Sequence, residues 1–143
     1  MYFGPRTTPR TILSSLLSAV AKLSGLFSES SIPFVNYRVV ENIFCKSFNA
    51  DNLSRSDTAF DANYNSTGVG LKTFICSSDN STEKVAEFNS LSRELANYKG
   101  KKLALKLAEY RNDRIELANR LYNIENSLYH IVARKDKELI LFE

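Results

Sequence analysis

The chain has 143 residues, 43% hydrophobic and 24% charged, with 19 Lys and Arg against 16 Asp and Glu. That is one domain's length with enough apolar content for a core, which excludes a disordered tail, a collagen and a disulfide scaffold. The net charge of +3 is too small to argue for a nucleic-acid partner by itself, and two widely separated cysteines point to reduced thiols in a cytoplasmic setting.

Near the amino end, Ile12, Leu13, Leu16, Leu17, Val20, Leu23 and Phe27 fall at helical spacing. Thr8 suits an N-cap, Pro9 the first helical position and Gly25 the stop. The stretch has features of an export signal, with Arg6 and Arg10 in front and Ala19-Val20-Ala21 behind. Ser14, Ser15 and Ser18 interrupt its apolar run, so an amphipathic helix is the better reading. Residues 1–30 are expected as a helical extension of a single domain spanning 1–143. No apolar run approaches the length needed to cross a bilayer.

A second helix is expected from Pro33 to Phe48, with Val39, Val40, Ile43 and Phe44 as its apolar face. Asn49 to Ser56 reads as a loop. The period then changes. Thr58 to Ala62 is a short strand, Asn63 to Gly68 carries turn chemistry, and Val69 to Cys76 is a second strand, together a hairpin. Asn80 or Ser81 caps the next helix, with Glu83 placed for a capping box if Asn80 is the cap. Val85, Phe88, Leu91 and Leu95 form its stripe and Gly100 ends it. A helix from Lys101 to Tyr122 follows, then a hairpin of Leu128–Ala133 and Glu138–Phe142. The predicted fold is α/β (α+β): a mixed sheet with a central hairpin flanked by helices, not a bundle or a sandwich.

The chemistry lies in that central hairpin. Asp61 is placed near the end of one strand and Lys72 in the middle of its partner, so a tight turn brings them to neighbouring positions. A carboxylate there can hold a hard divalent cation, and Mg²⁺ accepts few protein ligands plus water and phosphate. The lysine can orient a metal-activated water and stabilise phosphate charge. The bland alternative is an ordinary surface ion pair in a structural adaptor. Two features weigh against it: glycines flank Val69, leaving room for close approach, and Phe60, Val69, Leu71 and Phe74 surround the pair.

With Asp61 followed by Gly68-Val-Gly-Leu-Lys72-Thr-Phe74, the chain resembles the PD-(D/E)XK nuclease superfamily, and within it type II restriction endonucleases. The resemblance runs in element order over residues 37–142, while the motif itself is Asp61, Lys72 and their neighbours. It implies a restriction-endonuclease-like core and Mg²⁺-dependent hydrolysis of double-stranded DNA. Asp61 would be a metal ligand and Lys72 the catalytic lysine. The family often has proline where Phe60 stands, and Glu, Asp or Gln where Gly70 stands. A second carboxylate must therefore come from elsewhere. Glu87, on the helix after the lysine strand, is the first candidate for catalysis and metal binding, because a variant of the family places the acid there. Glu41, on the preceding helix, is the second. Asp57 is a weaker alternative to Asp61. A homodimer is expected if both strands are cut, since a palindromic site matches two-fold protein symmetry.

Between Arg93 and Arg120 eight basic residues face four acids. Such a helix can supply phosphate contacts, and Lys101, Lys102, Arg111 and Arg114 are the candidates, although a solvated face is the commoner meaning of such a run. Arg111 falls in the middle of an apolar stripe (Ala104, Leu107, Ala108, Ile115, Ala118) and needs an anionic partner. His130 is the only histidine, so neither a zinc site nor a Cys-His nucleophile is supported. The chain stops directly after an apolar strand, which reads as a truncated or split nuclease. Together with Gly70, this motivates the second reading, a catalytically inactive remnant that binds DNA or a partner.

Overall fold

The computed structural model describes residues 8–78 and 88–143. Helix α1 (Thr8–Ser24) starts at the predicted cap and ends before Gly25. It is no appendage: Leu13 and Leu17 are fully buried in the main apolar cluster, alongside Val40, Phe44 and Phe48 of α2. Helix α2 spans Tyr37–Phe48, and its start lies later than Pro33 because Asn36 is the true cap, its side chain accepting the Arg38 N–H at 2.9 Å. Asn49 closes the helix in the left-handed conformation.

Five strands follow in the spatial order β1-β2-β3-β4-β5. Strand β1 (Asp51–Asn52) is only two polar residues within the expected loop. Strand β2 (Ala62–Tyr64) pairs antiparallel with β3 (Thr67–Ile75) through a turn at Asn65 and Ser66, both at positive φ. This is the mirror-image turn that matches strand twist. The first strand of the predicted hairpin is thus displaced toward the turn, and residues 58–60 lie outside it.

After β3 the expected helix from Asn80 falls largely outside the described residues, as do Glu87 and Val85. Its carboxyl end is a short 3₁₀ turn (Asn89–Leu91) running into the single-turn helix α3 (Ser92–Leu95). Helix α4 (Gly100–Tyr122) is the crossover that brings β4 (Asn126–Lys135) back parallel to β3. Parallel pairing requires such a long connection. Strand β5 (Glu138–Phe142) returns antiparallel after Asp136-Lys137, completing the predicted hairpin. The protein is therefore an α+β fold with a central mixed sheet flanked by helices. Among the described residues no helix is long and apolar enough to cross a membrane.

Alternation along β3 sends side chains to two faces. Val69 and Leu71 join Val132 beneath α1 and α2. Gly68 and Gly70 face the other way, where two aromatic rings lie against bare backbone. A Cβ on Gly68 would stand 2.6 Å from the Phe60 ring, and one on Gly70 would stand 2.7 Å from the Tyr129 ring. Phe60 in turn packs with Leu53, Ala118 and Ile124, which seats the end of α4 on this face. His130 is buried in β4 against the Phe44 ring at 5.3 Å, with Nδ1 3.4 Å from Glu143, a structural histidine as its isolation implied.

Gly68→Ala is expected to lower unfolding free energy by about 1–3 kcal/mol, because the Phe60 ring must leave its place. Gly25→Ala, whose Cβ would meet only Lys22 O at 3.4 Å, is expected to change stability far less. Urea denaturation of the two variants and the parent checks the contrast.

Candidate functional site

The site is built where β2 stops short of β3. Asp61 directly precedes β2, and its N–H donates to Val69 O at 2.9 Å although Ala62 is the register partner of Val69. Two successive residues thus address one partner, the arrangement of a bulge, which ends pairing and re-aims a side chain. The Asp61 carboxylate turns along β3 and its Oδ2 accepts the Leu71 N–H at 2.7 Å. One oxygen is anchored by backbone.

A pocket of about 430 Å³ opens beside it, lined by Tyr37, Arg38, Glu41, Ser54, Asp61, Leu71, Lys72 and Thr73. Three residues expected from sequence are therefore gathered: Asp61, Lys72 and the second-choice acid Glu41. Glu87, the first choice, lies outside the described residues. Asp57 does not belong to the site. It is exposed on the far side of the loop and pairs with Arg114 at 2.9 Å. Asp61 and Lys72 form no ion pair, and among the described residues Lys72 engages no side-chain hydrogen bond or ion pair. The ordinary surface-pair reading thus loses its contact.

Glu41 is 5% exposed, which is unusual for a carboxylate without full compensation. Its partner is Arg38, one helical turn earlier, whose Nη1 donates to Oε2 at 3.0 Å. The same Nη1 donates to Ser54 O at 3.0 Å. Burial pushes the Glu41 carboxyl above the usual range; Arg38 pulls it back, and the charge of Asp61 pushes it up again. The charge of Asp61 thus acts on Glu41 across the pocket. Neither Arg38 nor Ser54 stood out in the sequence. Arg38 had one available signal: an arginine three residues before a helical glutamate.

The donor set is consistent with a hard divalent ion. Among the described residues no cluster of three or more His, Cys, Asp and Glu exists. Mg²⁺ needs no such cage, since it binds through one or two carboxylates with water and phosphate completing its shell. The charge of Asp61 raises the proton affinity of the buried Glu41, a cost that a bound cation would relieve. The acid missing at Gly70 is not replaced on its own strand, because the Tyr129 ring occupies that space. The Tyr129 hydroxyl is hydrogen-bonded by Arg111, whose guanidinium lies 5.9 Å from the ring centroid. The partner of Arg111 is thus a phenol rather than the expected anion. Lys101 and Lys102 are exposed in the first turn of α4.

A larger groove of about 600 Å³ lies between α1 and α2, lined by Val20, Leu23, Phe27, Phe34 and Val39 with no titratable side chain. The smaller pocket is the one lined by charged side chains.

The negative field also reaches Cys45 on α2. Burial first, then Glu41, Asp61 and Asp51, push its thiol up to about 11. Folding thus favours the protonated thiol, and this contribution is complete below the unfolded thiol pKa and lost as pH rises toward about 11. At pH 8 only about one Cys45 in a thousand is thiolate. Thiol labelling of the native chain is expected to modify Cys76 and spare Cys45 until unfolding; equal rates at both would contradict the burial. Comparison with protein-family models, curated proteins and solved structures returns no match.

Proposed function

We propose that the chain is the catalytic core of a Mg²⁺-dependent endonuclease that hydrolyses phosphodiester bonds in double-stranded DNA, of the restriction type. The observation that supports it is that Asp61, Glu41 and Lys72 line one pocket, with no bonded partner for Lys72 among the described residues. The order of elements around that pocket also agrees with the resemblance to PD-(D/E)XK nucleases: helix, hairpin, crossover helix and a strand beside the lysine strand.

In this reading Asp61 and Glu41 hold the ion. When bound, Mg²⁺ supplies charge neutralisation at the phosphate and a more acidic water. Asp61 is positioned for its part by the Leu71 N–H, which fixes one oxygen and leaves Oδ1 for the ion. Lys72 supplies an ammonium group that orients the attacking water and stabilises the charge growing on phosphate oxygens. The Tyr129 ring, packed over Gly70, lies on the α4 face of the sheet beside Arg111. Lys101 and Lys102 are exposed cations in the first turn of α4, suited to the DNA backbone. Arg111 and Arg114 are committed to Tyr129 and Asp57. A homodimer working on a palindromic site, in the reducing cytoplasm that two free thiols suit, completes the reading.

Two observations favour a second reading. The Tyr129 ring fills the position of the usual acid and Arg38 already neutralises Glu41, which also suits an inactive DNA-binding remnant.

Plasmid cleavage with Mg²⁺ or Mn²⁺ separates them. The parent is expected to nick DNA, and Asp61→Asn and Lys72→Ala each to lose roughly 10²–10⁴-fold in rate with folding retained. DNA binding without cleavage by the parent would support the remnant. Cleavage that survives both substitutions would overturn the site.

A further inference from the structure

Arg38 sits where an added cation would have to act. Its Nη1 bonds both Glu41 Oε2 and Ser54 O at 3.0 Å, and it lines the same pocket as Asp61 and Lys72. A guanidinium keeps its charge at all accessible pH values, so it is a permanent positive group on the deeper of the two acids. A divalent ion at Glu41 would meet that charge at close range.

The contact is also built to open. The Glu41 side chain is 7% exposed whereas that of Arg38 is 43% exposed, so the acid is fixed and the arginine sits at the mouth. Its bonds to Glu41 and to Ser54 O both come from a single nitrogen, Nη1. The Tyr37 ring, 5.2 Å away, offers a face along which the guanidinium can move without losing all of its contacts. Ser54 O lies outside the acid pair and can keep the group near the pocket.

We propose that Arg38 is a stand-in cation: it holds Glu41 until a divalent ion replaces it, and the released guanidinium then faces the scissile phosphate. This rests on the nuclease reading of the site and adds its regulation. The planar fork of arginine suits a phosphate oxygen pair. Ion and phosphate therefore bind with mutual reinforcement, since the ion frees the group that the phosphate uses. An ion arriving without DNA binds weakly.

The test is Mn²⁺ binding, followed by calorimetry at about pH 8, where carboxylate ligands are least blocked by protons. The parent, Arg38→Met, Arg38→Lys and Asp61→Asn are compared, each checked for a cooperative melt. Loss of a charged hydrogen bond that competes with the ion should tighten Mn²⁺ binding in Arg38→Met by roughly ten- to a hundredfold. Arg38→Lys keeps the charge and should stay near the parent, which also covers the case where the methionine variant does not fold. In the parent a short DNA duplex should increase Mn²⁺ affinity, and in Arg38→Met that increase should shrink. Unchanged or weaker Mn²⁺ binding in Arg38→Met, with binding lost in Asp61→Asn, would overturn the stand-in role alone. Binding absent from every protein would remove the metal site, and the proposal with it.

Discussion

Two carboxylates share one partly dehydrated pocket, and among the described residues the one cation bonded there, Arg38, pairs with Glu41 alone of the two. Glu41 is inside the protein and Asp61 is at its margin, where its charge raises the cost of ionising Glu41. Arg38 meets part of that cost from the pocket mouth, and Leu71 N–H meets another part from β3. Lys72 lines the same pocket and has no bonded partner among the described residues. Negative charge is thus concentrated but incompletely neutralised, and the imbalance extends to the raised thiol of Cys45. A purely structural cluster would be expected to close these contacts, because half-satisfied buried polar groups weaken a core.

The architecture explains how the imbalance is held. Helix α2 is anchored by Val40, Phe44 and Phe48 in the main apolar cluster, so Glu41 has little freedom to turn to water. Strand β3 lies inside the sheet, paired with β2 over its first residues and with β4 along its whole length, so Leu71 and Lys72 are carried by a stiff element. The irregular pairing at Asp61 sets the third group at the point where β2 ends. Placing reactive side chains on rigid elements beside one local break is how a scaffold keeps geometry while leaving an opening. On the opposite face, Gly68 and Gly70 give their space to Phe60 and Tyr129, which fastens α4 and excludes an acid from the strand itself.

Much of this was legible in the residues. Period 3.6 marked α1 and α4, turn chemistry marked Asn63 to Gly68, of which only Asn65 and Ser66 form the turn, and the last strand is observed where expected, at Glu138–Phe142. Other features depend on contacts far apart in sequence. Pro33 drew the start of α2 too early, because its role as a helix opener competes with the side-chain cap that Asn36 actually makes. Residues 58–60 alternate like a strand, yet Phe60 is buried beneath the α4 face and pairing begins only at Ala62. Strand β1 is too short and polar for any periodic signal. The filling of Gly70 by Tyr129 arises from parallel pairing of β3 with β4, which no local pattern encodes. For the site, Asp61 and Lys72 were legible through hairpin spacing, whereas Arg38 acquires meaning only once Glu41 is seen to be buried.

The central claim is that Asp61 and Glu41 form a divalent-ion site beside Lys72. Crystals soaked in Mn²⁺ and measured for anomalous scattering test it most directly. The expected result is a peak within bonding distance of Asp61 Oδ1 and the Glu41 carboxylate, with Arg38 withdrawn from Oε2. A pocket without a peak, or with Arg38 still bonded to Glu41 at saturating Mn²⁺, would contradict it.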